Sequence, residues 1–411
     1  MPDTVNNARL WPNERVSRVP NWVYTDPGVF VREQERIFEG ASWLYTCLEA
    51  EIPNPGDWKR SQLGTRQVVA VRGKDGAVNV LLNRCAHRSA QFCNANHGTF
   101  KEIVCPYHQW TYDLDGKLVG VPFRKGYKGQ GGMPDDFRME DHGLQRLKVV
   151  QRGGAVFASF SEATEPFEAY LGPRQLEIYD RLFTGRPLEL LGYMRQRIPS
   201  NWKLMFENLK DPYHASLLHV FLITFGLFRL DQQSAVEIDD SGRHATLVSR
   251  RGAQEVNDAT TQLKQFRKDF ALEDKRLIDP VREFPGDATV MIQTIWPNVI
   301  VQQQSNSFAM RQLVPIDAGS FDLVWTFFGY ADDPPELRQR RLRQANLFGP
   351  AGYVSVDDSE VMLMQQWGVD PNPDADMLFE VGGRDTKTQP TMVTEAALRG
   401  FYKYYADVMG F

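Results

Sequence analysis

Cysteine is scarce in this chain. There are four in 411 residues, at positions 47, 85, 93 and 105. So few thiols in so long a chain argue against a disulfide scaffold and leave metal binding as the better default. Long apolar runs are missing as well. None approaches the roughly eighteen residues of a membrane-spanning helix, so no membrane association is expected. The opening stretch MPDTVNNARLWPNERVSRVP has no apolar core of the kind a secretory leader needs, which makes a reducing cytoplasm the expected location. There is no basic excess: the net charge is −5, which argues against nucleic-acid binding. No G-x-G-x-x-G follows a strand-like run, so the chain is not expected to bind NADH by that route. Internal repeats and low-complexity tracts are absent too. What remains is ordinary globular composition, 42% hydrophobic and 24% charged, in a length that suggests two domains.

The texture of the chain changes near residue 160. Before it, RQVVAVRG, VNVLLNR, TYDLDGKLVGV and GGAVFASF are short, β-branched or aromatic runs broken by Gly, Asp and Asn. Asp115-Gly116 is a hairpin signal, and PFRKGYKGQGGMPDDF reads as a surface loop. After it, PSNWKLMFENLK and the stretch following Asp211-Pro212 read as helices, as do PPELRQRRLRQANLF and TEAALRGFYKYYADVM. Strands are expected in RHATLVSRR, ATVMIQTIW, NVIVQQQSNSFAMRQLVP and FDLVWTFFGYA. Grouped strands make the fold class α+β. The expected organisation is an N-terminal segment 1–42 packing on the catalytic domain, an all-β domain 43–160 and a catalytic domain 161–411.

Three of the four cysteines and three of the seven histidines share the window LLNRCAHRSAQFCNANHGTFKEIVCPYHQWTYD. The pattern is Cys85-x-His87, seventeen residues, then Cys105-x-x-His108. A structural Cys₂His₂ zinc site is one reading, but such sites group Cys with Cys and His with His. One Cys and one His per loop suit a [2Fe–2S] cluster in which one iron takes both thiolates and the other both imidazoles. Gly98 and Pro106 are expected to shape tight ligand loops. Cys93 and Cys47 read as buried thiols and His97 as a loop residue. His142 and His244 lack a motif.

A second group lies in MFENLKDPYHASLLH, with Asn208, Asp211, His214 and His219. Two histidines and one carboxylate on one face can hold a mononuclear iron with positions open for O₂. A five-residue spacing puts the two histidines about 140° apart on an ideal helix. Either the helix is distorted or one histidine lies beyond its end. Asp211-Pro212 also reads as an N-cap and first-turn pair. The carboxylate has to come from elsewhere, and FGPAGYVSVDDSEVM offers Asp357, Asp358 and Glu360. Spacing does not choose among them.

The C-x-H…C-x-x-H pattern, followed by Trp110 and Tyr112, resembles the Rieske domain of the ring-hydroxylating oxygenases. N-x-x-D-x-Y-H-x-x-x-x-H and FGPAG with its DD pair resemble the iron segments of their large (α) subunits. That resemblance spans nearly the whole chain. It implies a Rieske [2Fe–2S] domain followed by a helix-grip (START/Bet v1-like) catalytic domain with a mostly antiparallel sheet. It also implies cluster ligands Cys85, His87, Cys105 and His108, and Fe²⁺ ligands His214, His219 and Asp358. By the same resemblance Asp211 joins His214 to His108 of a neighbouring subunit, and Asn208 lies near the iron as a weak ligand at most. A small β subunit in an α₃β₃ assembly, a ferredoxin and an NADH-dependent reductase are the implied partners.

LEAEIPNPGDWKR, GVPFRKG, GGMP, RQRIPSNWKLM and RQANLFGPAG resemble a subgroup acting on carboxylated single-ring aromatics. That implies 5-hydroxylation of salicylate with O₂, or dioxygenation of anthranilate or another ortho-substituted benzoate. A reading from another class is a non-catalytic Rieske electron carrier or a zinc-stapled binding module. Strand alternation in SNSFAMRQLVP puts Ala309, Arg311 and Leu313 on one face. Arg311 is the first candidate for a substrate carboxylate anchor, its alternatives being an exposed strand or a structural ion pair; Arg399 is a weaker candidate. Met205, Phe206, Leu217, Leu218 and Phe225 are apolar residues near the ligands that could line a cavity or belong to the core. Val354 stands where relatives acting on fused rings carry a bulky aromatic.

Overall fold

The computed structural model describes residues 11–12, 16–228, 232–250 and 258–411. The chain divides into two compact units, one of Phe38–Glu165 with Gly185–Leu188, the other of Met1–Ile37, Pro166–Thr184 and Glu189–Phe411.

The smaller unit is built of short antiparallel strands. Val78–Leu82, Arg66–Arg72, Asp57–Leu63 and His97–Thr99 form one sheet in that order. Ile103–Val104, Thr111–Tyr112 and Leu118–Gly120 form another. Gly116 turns the last hairpin at φ 84°, a conformation that costs glycine nothing. Trp58, Val69, Val71, Leu81, Ile103 and Trp110 pack around Cys85 and Cys105.

The larger unit is a seven-stranded antiparallel sheet with helices. In chain order the strands are β1 (Leu188–Ile198), β2 (Ser234–Ile238), β3 (Ala245–Arg250), β4 (Ala288–Ile295), β5 (Val299–Gln304), β6 (Ser307–Asp317) and β7 (Ser320–Tyr330). Across the sheet they run β1-β7-β6-β5-β4-β3-β2. Its helices include α1 (Trp202–Lys210), α2 (Pro212–Leu218), α3 (Pro335–Phe348), α4 (Tyr353–Val369) and α5 (Ala396–Met409).

Two features of this unit position the site. First, α1 is fixed hard at its start. The Asn201 side chain accepts the Lys203 N–H at 3.1 Å, and the fully buried Lys203 ammonium meets Glu33 at 2.6 Å. Glu33 also accepts from the Trp202 indole at 2.8 Å and the Tyr405 hydroxyl at 2.6 Å, so the buried charges are satisfied. Second, the pairing register sorts β6 by face. Arg311 stands opposite Ile300 and Trp325, and Ala309 opposite Gln302 and Phe327. Phe308 faces the other way, with the Arg341 guanidinium of α3 at 4.1 Å from its ring.

Candidate metal centres and substrate cavity

In the smaller unit the two Cys/His loops fold alike. The Cys85 N–H donates to Ala90 O at 2.9 Å, and the Ser89 N–H returns to Cys85 O at 3.0 Å. The Cys105 N–H donates to Trp110 O at 2.9 Å, and the Gln109 N–H returns to Cys105 O at 3.0 Å. Ser89 and Gln109 close the two turns with left-handed φ of 59° and 57°. Both thiols are buried, while His87 is exposed and His108 half-buried. His87 stacks on Trp110 at 4.7 Å and lies 4.6 Å from the His108 ring. The Tyr112 hydroxyl lies 3.2 Å from Cys85 Sγ and accepts the Ala86 N–H at 3.1 Å. Burial, with the neighbouring Cys85, raises the Cys105 thiol. Two buried sulfurs beside two imidazoles make a donor set that fits an iron–sulfur cluster.

Some expectations need correction. Gly98 lies in the edge strand His97–Thr99 and not in a ligand loop; a side chain there would meet the Trp58 ring at 2.9 Å. Exposed His97 shares that strand. Cys93 and Cys47 are buried thiols, burial pushing Cys93 up to about 12. His142 stacks on Phe137 at 4.7 Å. His244 is enclosed, its Nδ1 accepting the Trp296 N–H at 3.1 Å.

In the larger unit the break at Asp211-Pro212 makes the second centre possible. Asp211 ends α1 and caps α2, its Oδ1 accepting from the Tyr213 N–H at 2.8 Å and the His214 N–H at 3.4 Å. Its other oxygen is 3.3 Å from His214 Nδ1. One carboxylate thus starts the helix and faces the imidazole, so the two readings of Asp211 are compatible. Helix α2 stops at Leu218, and His219 takes φ −85°, ψ 92° before the chain coils again at Val220–Thr224. Lying beyond the helix end lets His219 turn back to 5.4 Å, ring to ring, from His214.

Helix α4 supplies the acid. Asp358 Oδ1 lies 3.1 Å from His219 Nε2 and 3.5 Å from His214 Nε2, and accepts from the Asn208 amide at 3.1 Å. Ligand atoms of His214, His219 and Asp358 all fall within 4.8 Å of one another, close enough to hold one metal ion. Glu360 is exposed. Asp357 Oδ2 sits 3.2 Å from His219 Nδ1, a partner the sequence reading missed. Its only signal was adjacency to Asp358.

Charges here reinforce one another. Burial opposes a proton on His214, yet Asp211 and Asp358 together push it up to about 10. Burial likewise opposes ionisation of Asp358, and the two imidazoles reverse this, holding the carboxyl far below its usual range. Protons on the imidazoles take the place of positive charge, so the pocket suits a cation.

A cavity adjoins this cluster, lined by Asn208, His214, His219, Asp358, Leu209, Leu222, Phe228, Val290, Ile292, Gln304, Arg311 and Val354, among others. Met205 and Phe206 are core instead, Phe206 stacking on Phe401 at 5.7 Å. Leu217, Leu218 and Phe225 do not line the cavity. Nor does Arg399, which corrects its candidacy as an anchor. Its Nε donates to Asp385 O at 2.7 Å, and its Nη1 to Phe379 O and Val381 O at 3.1 and 3.2 Å, so backbone carbonyls occupy those donors. A roomier cleft of about 270 Å³, lined by Arg181, Phe284 and Asn306 among others, contains no histidine or cysteine. Cavity size alone therefore points away from the cluster.

Residues 179–410 match the family described as ring hydroxylating alpha subunit (catalytic domain), and residues 42–131 the Rieske [2Fe-2S] domain. The chain is 51% identical over 406 residues to the salicylate 5-hydroxylase large oxygenase component of a Ralstonia species, covering 97% of this chain and 96% of that one. It is 43% identical to the anthranilate 1,2-dioxygenase large subunit of Burkholderia cepacia, over 98% of this chain and 95% of the relative. Identity to a terephthalate 1,2-dioxygenase alpha subunit of a Comamonas species is 42%, over 97% of each chain. The fold matches naphthalene 1,2-dioxygenase from a Rhodococcus species with a TM-score of 0.79 at 23% identity, covering 95% and 94% of the two chains. Among the described residues no helix is long and apolar enough to cross a membrane. The chain belongs to the α subunits of the Rieske ring-hydroxylating oxygenases, oxidoreductases that combine a [2Fe–2S] domain with a catalytic domain binding mononuclear iron.

Proposed function

We propose that this chain is the oxygenase component that hydroxylates a carboxylated single-ring aromatic, 5-hydroxylation of salicylate being the favoured reaction. Arg311 carries the reading. Its side chain is buried in the cavity wall, and burial lowers it to about 9 against the pull of Asp358. Its Nε has no partner, and among the described residues no ion pair reaches it. Buried Arg341 of α3, packed against Phe308 on the other face of β6, is by contrast paired with Asp333 at 2.6 Å and with Glu283. A buried, unpaired guanidinium is costly unless an anion joins it. An aromatic carboxylate matches its fork, while the apolar wall of Leu222, Phe228, Val290 and Ile292 suits the ring.

In this reading Cys85, His87, Cys105 and His108 hold the cluster, and His214, His219 and Asp358 hold the iron, which would supply the activation of O₂. Asp211 orients His214 and receives the electron path from His108 of a neighbouring subunit, which calls for a closed ring of subunits. A small β subunit in an α₃β₃ assembly, a ferredoxin and an NADH-dependent reductase complete the system. Monohydroxylation consumes one O₂, two electrons and two protons, and yields one ring hydroxyl and one water. Dioxygenation takes the same two electrons and two protons and leaves both oxygens on the ring. The anthranilate relative favours this as the second reading.

The test is a panel of benzoates turned over under ¹⁸O₂ by holoenzyme with its electron-transfer partners. One labelled ring oxygen from salicylate is the expected result. Two would establish dioxygenation. Indifference to the carboxylate would overturn the assignment. A bare electron carrier or zinc module predicts unchanged activity when His214 and His219 are both replaced by Ala, where we expect hydroxylation to vanish.

A further inference from the structure

We infer that Gln302 reads a second polar substituent on the substrate ring, ortho to the carboxylate; the inference rests on Arg311 holding that carboxylate. Gln302 opens the run Gln302-Gln303-Gln304 on β5, and by strand alternation its side chain shares a face with Gln304, two residues along. Arg311 and Gln304 both line the cavity beside the iron ligands, whereas Gln302 is fully buried in the same sheet face and is not itself part of the lining. On their common sheet face Gln302 lies between them. It stands directly opposite Ala309, while Arg311 stands opposite Ile300. Gln302 and Arg311 are therefore diagonal neighbours across the β5–β6 pair, about 7–8 Å apart at the backbone and within reach of long side chains. The Ala309 methyl leaves space between them.

Gln302 is completely buried, and neither its Nε2 nor its Oε1 has a hydrogen-bond partner. A buried amide with both ends empty is costly. Other polar groups on this face are orphaned with it: Arg311 Nε, Trp325 Nε1 and Ser307 Oγ. The Arg311 guanidinium lies 3.9 Å above the Trp325 ring, which fixes its plane. An ortho hydroxyl or amino group sits beside the carboxylate on the ring, so the residues reading the two groups must be neighbours. An amide can accept the hydrogen of such a group through Oε1 and donate to its lone pair through Nε2. A methyl group of similar size offers neither and leaves both ends unpaired.

Ligand binding to holoenzyme, measured by calorimetry without O₂, tests this apart from turnover. Wild type should bind salicylate and 2-aminobenzoate about tenfold or more tightly than 2-methylbenzoate. Gln302→Met, with its cluster absorption intact, should bring that ratio close to one. Equal wild-type affinity for the three ligands overturns the inference even if the variant fails to fold. So does an unchanged ratio in a folded variant. Arg311→Met separates the two ideas. If it weakens all three ligands while the wild-type ratio is one, only the role of Gln302 falls. If it weakens none of them, the carboxylate reading falls, and this inference with it.

Discussion

Asp357 holds the outer edge of His219: its Oδ2 lies 3.2 Å from Nδ1, on the far side of the ring from the Nε2 that faces Asp358. Consecutive residues of α4 thus contact one imidazole from opposite ends. A carboxylate on the non-ligating nitrogen fixes the tautomer and the ring plane. Asp357→Ala should weaken iron binding about 10–100-fold with the fold retained. Iron content after equilibrium dialysis measures it, and full retention of iron would refute the role.

Asp211 both caps α2 and faces His214, and one substitution separates the two duties. Asn caps as well as Asp, so Asp211→Asn should melt within a few degrees of wild type. Turnover should nevertheless fall about 10–100-fold, because the charge on the His214 side is gone. Product formation with iron and cluster content measured in parallel checks this. Wild-type turnover would reduce Asp211 to a cap.

Tyr112 offers its hydroxyl to Cys85 Sγ at 3.2 Å. Hydrogen bonds to cluster sulfurs favour the reduced, more negative state. Tyr112→Phe removes about 1 kcal/mol of that preference, so the midpoint potential should drop by about 40 mV. Redox titration of the cluster spectrum reads the shift, and a rise would contradict the geometry.

Lys203 and Glu33 are both fully buried and meet at 2.6 Å. Lys203→Met leaves Glu33 charged and unpaired, which should cost about 3–5 kcal/mol. Adding Glu33→Gln removes the orphaned charge and should recover part of that loss. Urea unfolding of both variants tests the coupling.

Glu207 gives a pH signature. Burial, together with the charge of Asp211, outweighs its partners Tyr402, Tyr24 and Lys203 and pushes it up to about 7. In the unfolded chain the group titrates near its ordinary value. The folded protein therefore binds the extra proton between the two values, and the group's stabilisation is full at low pH and lost as pH rises through about 7. The slope is at most about 1.4 kcal/mol per pH unit. Glu207→Gln should flatten the stability profile between roughly pH 5 and 7. An unchanged profile would place the titration elsewhere.

The cluster pattern and the two-histidine segment were legible because ligand spacing in short loops is a local property. The strands around Arg311 were legible from β-branched texture, and the alternation put Arg311 on the face it occupies. Whether Arg311 was exposed, paired or empty was not legible, since that depends on Trp325 and Asp358, distant in sequence. The same holds for Gly98, whose smallness answers to the Trp58 ring, and for Arg399, whose donors meet carbonyls from 379 to 385. Apolar residues beside the ligands in sequence were the wrong guide to the cavity. Met205 and Phe206 point into the core, whereas Val290 and Ile292 reach the wall from another strand.

The interruption between α2 and the short helix Val220–Thr224 sets a limit on engineering this chain. Replacements chosen to extend helical character through Leu218 and His219 would score as improvements by local propensity. Each would rotate one imidazole away from the other, so a sturdier variant obtained there should be one that has given up its metal.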